Sequence, residues 1–183
     1  MKLVVTIAAA AVLLIVLAAL PSAHPQIPSG REVVSPAAYV SVEPVARGRS
    51  FQVAVVLKIR NGFHINARKP SAEYLIPTDL RLNLPVGFKS AGEISYPKGE
   101  LHTFGFAKIP LNVYQDKIVL RVPLEAQSNA PLGAQKIPLK LRYQACSNEV
   151  CLPPVTLDLD ASLTVAANAA NSRPAHPELF ASH

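Results

Sequence analysis

The sequence contains no tryptophan, one methionine and two cysteines among its 183 residues. The lone methionine argues against a methionine-rich copper(I) site, and the five histidines lack the spacing of zinc ligands. We find no P-loop, no glycine-rich dinucleotide motif and no Ser-His-Asp arrangement. We therefore expect no cofactor and no bound metal.

Charged residues are also few, at 16% of the chain, and the formal net charge is +6. The lysines and arginines are mostly scattered, without the stripe of basic and aromatic residues typical of nucleic-acid binding. We expect a solvated basic surface and no nucleic-acid partner. After residue 20 no apolar run is long enough to cross a bilayer.

The one long apolar run lies at the N terminus, over residues 3–20, with Lys2 before it and small residues after it. This pattern predicts a secretory signal peptide over residues 1–23, cleaved after Ala23. An uncleaved membrane anchor is the alternative, because the run just reaches spanning length. No cysteine follows the run, so we expect no lipid anchor.

The rest of the chain is rich in short strand patterns. Apolar and polar residues alternate with period two, which is typical of strands with one buried face. The clearest patterns cover residues 51–59, 80–84, 118–124, 137–143 and 155–165. No helix is expected after residue 24. The sequence therefore predicts an all-β fold, an immunoglobulin-like antiparallel β-sandwich.

The domain organisation follows from composition. Residues 24–37 carry three prolines and little periodicity, which predicts a linker. Residues 38–165 hold the predicted strands and form the single domain. Residues 166–183 are rich in alanine, asparagine and proline, and we expect a disordered tail.

Cys146 and Cys151 are close enough in sequence to close a small disulfide in an exported protein. If they lie opposite each other across a hairpin, an odd-numbered residue faces an even-numbered one. The apolar residues of both flanking strands are odd-numbered, so the two limbs need one extra residue to keep those side chains on one face. Pro153-Pro154 is the natural place, since neither proline can donate to the ladder.

Cys146 shares its parity with the polar residues Lys140, Arg142 and Gln144. The pair is therefore predicted to lie at the surface end of the hairpin, outside the core. Accessibility favours an exchangeable disulfide. A structural staple or a soft metal ion held by the two thiolates remains an alternative.

Several short motifs occur in a fixed order along the chain. They are Gly62-Phe63-His64-Ile65-Asn66 with Pro70, Leu75-Ile76-Pro77-Thr78, Tyr96-Pro97-Lys98-Gly99, Phe104-Gly105-Phe106, Tyr143-Gln144-Ala145-Cys146 and Cys151-Leu152-Pro153-Pro154. As an ordered set, the motifs resemble the N-terminal periplasmic domain of the thiol:disulfide interchange protein DsbD. The resemblance covers about residues 34–165.

The resemblance implies a redox-active pair, Cys146 and Cys151, at one end of the sandwich. It also implies that a loop over residues 101–108 covers the disulfide, with Phe104 or Phe106 as the cap. The implied activity is that of a periplasmic protein-disulfide reductase. It would relay electrons from a membrane electron-transfer protein to thioredoxin-like proteins, including cytochrome c maturation factors.

Beside the pair, the resemblance places Tyr143 and, where some members carry tyrosines, His64 and Asn66. Full-length members continue into a membrane domain and a thioredoxin-like domain. This chain ends after one domain, so we expect a separate polypeptide as electron donor. The alternative reading is a non-catalytic immunoglobulin-like binding domain whose disulfide is structural.

Overall fold

The computed structural model describes residues 28–181, which form strands with two four-residue helices. The helices are α1 (Gly30–Val33) and α2 (Pro177–Phe180). The strands are β1 (Val34–Val40), β2 (Val42–Glu43), β3 (Val45–Ala46), β4 (Arg49–Ile59), β5 (His64–Asn66), β6 (Asp79–Leu82), β7 (Phe88–Ser90), β8 (Glu100–His102), β9 (Leu111–Tyr114), β10 (Lys117–Ala126), β11 (Gly133–Tyr143), β12 (Ala145–Cys146), β13 (Val155–Ala166) and β14 (Arg173–Pro174).

The first sheet has the strand order β1-β4-β10-β7 and is antiparallel throughout. Its two long strands, β4 and β10, are in register so that Val53 faces Val122 and Val55 faces Leu120. Opposed residues point to the same side of a sheet. The alternating apolar residues of both strands therefore combine into one buried face.

The second sheet has the order β3-β13-β11-β6. All its pairings are antiparallel except the short one between β3 and β13. In the long β11–β13 pair, Leu139 faces Leu159 on the inner side, while Lys140 and Asp158 pair on the outer side at 2.6 Å. The inner faces of the two sheets contribute to one hydrophobic core, which confirms the predicted antiparallel β-sandwich.

Two smaller sheets complete the molecule. One has the order β12-β5-β9-β8 and carries Cys146. The other pairs β14 with β2. The four-stranded sheet continues the hairpin of β11 and β13 beyond Tyr143, so it determines the surroundings of the cysteines.

The predicted linker over residues 24–37 is corrected where the structure describes it. Residues 30–33 form α1, and β1 pairs with β4 from Val34 onwards. Val33 and Val34 are buried in the core, which fixes this segment to the sandwich. Pro36 is accommodated because β1 is an edge strand and has a partner on one side alone.

The predicted disordered tail is also corrected. β13 continues to Ala166, β14 pairs with β2, and α2 buries Leu179 in a cluster with Ala54 and Val56 on the outer face of β4. The Nε of Arg121 donates a hydrogen bond to the Leu179 carbonyl at 2.7 Å. The β14–β2 pairing, the docked Leu179 and the hydrogen bond from Arg121 together order a segment whose composition predicts disorder.

The predicted signal peptide and residues 182–183 lie outside the described residues. Between residues 28 and 181, no helix is long and apolar enough to span a bilayer.

Leu179→Ala tests whether the C-terminal segment is part of the folded unit. Removing this side chain is expected to lower the free energy of unfolding by about 2 kcal/mol, the low end for a buried leucine. Urea denaturation is the measurement. The matched control is Leu132→Ala, since Leu132 is 51% exposed and should change stability by less than about 0.5 kcal/mol. Equal midpoints for the two variants would contradict the docking.

Candidate functional site

The two cysteines close a disulfide at the end of the hairpin formed by β11 and β13. Cys146 and Cys151 are bonded, with their Cα atoms 3.9 Å apart. Ser147 organises the turn between them: its N–H donates to the Val150 carbonyl at 2.8 Å, and its Oγ accepts from the N–H of Glu149 at 3.1 Å. The turn therefore holds the cysteines opposite each other.

The hairpin register changes by one residue between the sandwich and the disulfide. Tyr143 faces Val155, whereas Cys146 faces Cys151. The N–H of Leu152 donates to the Ala145 carbonyl at 2.8 Å, so the new register still holds at Leu152. The extra residue is therefore taken up at Pro153-Pro154, as the residue parity predicts.

The predicted outward orientation of Cys146 is wrong. Cys146 is completely buried, whereas Cys151 is partly exposed and the turn residues 148–150 are exposed. The parity of β11 does not extend to Cys146 because Cys146 belongs to β12, which pairs with β5. When a strand changes its hydrogen-bonding partner, its side chains no longer follow the alternation of the preceding strand. The inward and outward positions of β12 therefore cannot be read from those of β11.

Aromatic rings are layered beside the buried cysteine. His64 lies directly opposite Cys146 in the β5–β12 pair. The ring of Phe104 stacks on His64 with centroids 3.9 Å apart, and the ring of Phe106 stacks on Phe104 at 5.6 Å. Phe104 is 6% exposed and Phe106 is 40% exposed. Both predicted cap residues therefore belong to a stack that begins at His64.

His64 is itself a buried titratable group. It is 1% exposed, and its Nε2 has no hydrogen-bond partner within the described residues. Burial, with a smaller contribution from the like charge of His102, lowers the pKa of His64 to about 4. The imidazole is therefore neutral at neutral pH.

Asn66 and Gln144 connect the disulfide hairpin to the neighbouring loop. The amide of Asn66 donates to the Ile76 carbonyl at 3.0 Å and to Gln144 Oε1 at 3.5 Å. The amide of Gln144 donates to the Leu152 carbonyl at 3.3 Å. The sequence motifs do not mark Gln144 as a site residue; the available signal is a polar residue between Tyr143 and Ala145, two positions before the cysteine.

Tyr143 lies in the main core rather than over the disulfide. Its hydroxyl donates to the Gly30 carbonyl at 2.7 Å, and burial raises the pKa of Tyr143 to about 12. The tyrosine therefore fixes α1 to the base of the hairpin. Among residues 28–181, no three histidine, cysteine or acidic side chains come together as a metal-binding group.

Residues 31–162 match the model of the family described as "Thiol:disulfide interchange protein DsbD, N-terminal". Among solved structures, the N-terminal periplasmic domain of ScsB from Proteus mirabilis is similar, with a TM-score of 0.45 and 16% sequence identity. That match covers 72% of this chain and 45% of the other, so this chain spans less than half of its length. No curated protein matches the chain.

The depressed pKa of His64 predicts acid sensitivity of the oxidised protein. The unfolded chain takes up a proton at His64 near pH 6.5, whereas the folded chain does so at about pH 4. Stability is therefore retained above the unfolded-state pKa and lost as the pH falls from 6.5 to 4, by about 3 kcal/mol for this group.

Urea denaturation at several pH values between 7 and 4 measures this loss. His64→Phe keeps a ring for Phe104 to stack on and removes the titration, so its stability should fall less steeply than that of the wild type. His176→Asn is the control, since His176 is exposed and lies on the C-terminal segment. Parallel curves for wild type and His64→Phe would show that His64 is not the source.

Proposed function

Because the chain belongs to the family of DsbD N-terminal domains, we propose that it is a periplasmic thiol-disulfide exchange module acting through Cys146 and Cys151. The observation that carries the proposal is the asymmetry of the disulfide. One cysteine is completely buried and the other is partly exposed at the end of a hairpin. In this proposal a partner's thiolate reaches Cys151, the less buried of the two cysteines, without opening the core.

The exchange runs through a mixed disulfide. A thiolate of the partner attacks Sγ of Cys151, and the electron pair of the broken bond passes to Sγ of Cys146, which leaves as a thiolate. The partner's second thiolate then attacks the partner's own sulfur in the mixed disulfide and releases Cys151. The partner is oxidised to a disulfide, and Cys146 and Cys151 are reduced to thiols. The partner's two thiols release two protons to water, and the two cysteines take up two protons from water.

Phe104 is the residue that we propose as the cap. It lies in the loop between β8 and β9, is 6% exposed, and stacks on the histidine opposite Cys146. The ring of Phe106 lies beside this pair, 5.6 Å from Phe104 and 6.5 Å from His64. A lid of this kind limits the access of small thiols and moves aside when a partner docks.

The partners in this proposal are a membrane electron-transfer protein as donor and thioredoxin-like periplasmic proteins as acceptors, cytochrome c maturation factors among them. The exposed turn is small and mostly polar, with Val150 42% exposed as its apolar residue. Such a surface suits a transient interface at the low end of the size range. The module would therefore meet its partners briefly, as a relay requires.

The second candidate is a non-catalytic binding domain with a structural disulfide. The complete burial of Cys146 favours it, because an inert staple is usually shielded. The reduction potential separates the two, since structural disulfides usually lie below about −300 mV and exchangeable ones above. We expect the potential of this pair to lie above that value.

Single-cysteine variants test the exchange and its direction of attack. Cys146→Ala leaves the partly exposed Cys151 thiol. It should form a mixed disulfide with a purified thioredoxin-like protein whose second active-site cysteine has been replaced and whose remaining cysteine is activated as the thionitrobenzoate mixed disulfide, so that attack by the Cys151 thiolate releases thionitrobenzoate. Cys151→Ala leaves a buried thiol and should form several times less adduct. Non-reducing electrophoresis gives the yields.

The double variant Cys146→Ala/Cys151→Ala is the control for this experiment. It should form no adduct and still unfold cooperatively. If neither single variant forms an adduct and the reduction potential lies below about −300 mV, the exchange proposal is wrong and the binding domain takes its place.

Phe104→Ala tests the cap. A stacked aromatic pair is worth about 1 kcal/mol, so its loss should make reduction of the disulfide by dithiothreitol roughly fivefold faster. Phe106→Ala should have a smaller effect, since its ring lies beside Phe104 and is 6.5 Å from His64. Phe180→Ala, on α2, is the remote control. Equal rates for all three variants and the wild type would contradict the cap.

A further inference from the structure

One buried polar atom beside the disulfide has no described role in the oxidised protein. It is Nε2 of His64, which has no hydrogen-bond partner among residues 28–181. Leaving a buried polar group unpaired costs about 1–3 kcal/mol, so such an atom needs an explanation. The explanation can lie in another state of the molecule, in which a partner for this nitrogen exists.

Cys146 is the group that changes between the two redox states and faces His64. The two residues are directly opposed in the antiparallel β5–β12 pair, so their side chains leave the sheet on the same face with Cβ atoms roughly 5 Å apart. In the disulfide, Sγ of Cys146 is neutral and a weak acceptor. After reduction it can be a thiolate, which is charged and needs a donor because Cys146 is completely buried.

The other groups near His64 are less suited to serve this thiolate. Asn66, two residues along the same strand, has its unpaired atom at Oδ1, which is an acceptor. His102 of β8 is the titratable group that acts electrostatically on His64, and its Nε2 lies 3.2 Å from Glu100. From the loop after β8, the ring that meets His64 is that of Phe104, which has no polar atom.

We infer that His64 donates a hydrogen bond from Nε2 to Sγ of Cys146 when the disulfide opens, and so stabilises Cys146 as the leaving thiolate. This role deepens the exchange function proposed above and rests on it. In the reverse direction the same bond holds Cys146 as the thiolate that attacks Cys151 in the mixed disulfide and releases the partner's sulfur. His64 keeps its proton in both directions, so the proton and electron balance of the exchange is unchanged.

The environment of His64 fits a donor that does not titrate during the reaction. Burial keeps the imidazole neutral at neutral pH, so it carries one N–H and no charge. Burial alone would raise the pKa of the Cys146 thiol, whereas a donor to the thiolate lowers it. In the oxidised protein the stacked ring of Phe104 holds the imidazole in position before the disulfide opens.

The test is a titration of the reduced chain with ¹³Cβ-labelled cysteines, since the Cβ resonance moves when a thiol ionises. In His64→Phe, which keeps the ring and removes the donor, the pKa of Cys146 should rise by about one to two units. In His64→Gln, whose amide restores an N–H, most of the shift should be reversed. Cys151 should change less, and His176→Asn should match the wild type. An unchanged Cys146 titration in His64→Phe overturns the inference.

A second measurement needs no variant at His64 and decides the question if His64→Phe does not fold. The ¹⁵N resonances of the histidines are recorded in the oxidised and reduced wild-type chain. His64 Nε2 should move on reduction as it gains an acceptor, whereas His176 should stay in place. A His64 resonance that does not respond to reduction overturns the inference.

Exchange with a thioredoxin-like protein is measured in parallel, and a higher leaving-group pKa should slow the exchange of His64→Phe severalfold. If the wild-type chain does not exchange at all, the proposed function is wrong whatever the titrations show. If the wild type exchanges and His64→Phe matches it in rate and in Cys146 pKa, the inferred role of His64 is wrong and the proposed exchange function still holds.

Discussion

The site depends on a change of hydrogen-bonding partner at Gln144. As far as Arg142 the chain lies between β13 and β6. From Ala145 it pairs with β5 on the β6 side, while Cys146 still faces Cys151 on the other side. Gln144 lies at the change and its side chain serves both sides: Oε1 accepts from the Ile76 N–H at 3.4 Å, and the amide donates to the Leu152 carbonyl at 3.3 Å. This junction brings Cys146 out of the sandwich and places it opposite a histidine.

Pro153-Pro154, on the segment that returns from the disulfide to β13, take up the change of register across the hairpin from this junction. A ladder that continued in the register of Tyr143 and Val155 would place Cys151 out of step with Cys146. Proline lacks the N–H that such a ladder needs, so the mismatch falls where pairing is already interrupted. The register offset and the change of sheet therefore support each other, and together they bury one sulfur and leave the other cysteine partly exposed.

Residue parity predicted the sandwich and the offset because both depend on local alternation. The apolar positions of β4, β10 and β11 alternate along long strands, and Pro153-Pro154 can be identified without any tertiary information. The burial of Cys146 could not be found in this way, since β5 is remote in sequence and its three residues His64–Asn66 carry no alternation that indicates β12 as a partner. The order of the tail cannot be read from its composition for a similar reason, because it depends on the pairing of β14 with β2 and on Leu179 packing against a patch of β4 that faces away from the main core.

The disulfide closes a short loop, and this limits how much the fold depends on it. For a separation of five residues, the loop-entropy model gives a stabilisation of about 2 kcal/mol, against about 3 for a loop of fifteen residues. The main core is built from residues of both large sheets and contains neither cysteine. We therefore expect opening of the bond to change a small part of the molecule: the turn, the buried sulfur and the ring of His64 opposite it. The exchange proposed above requires this separation, because the oxidised and reduced states would then share one folded sandwich and differ at the end of one hairpin.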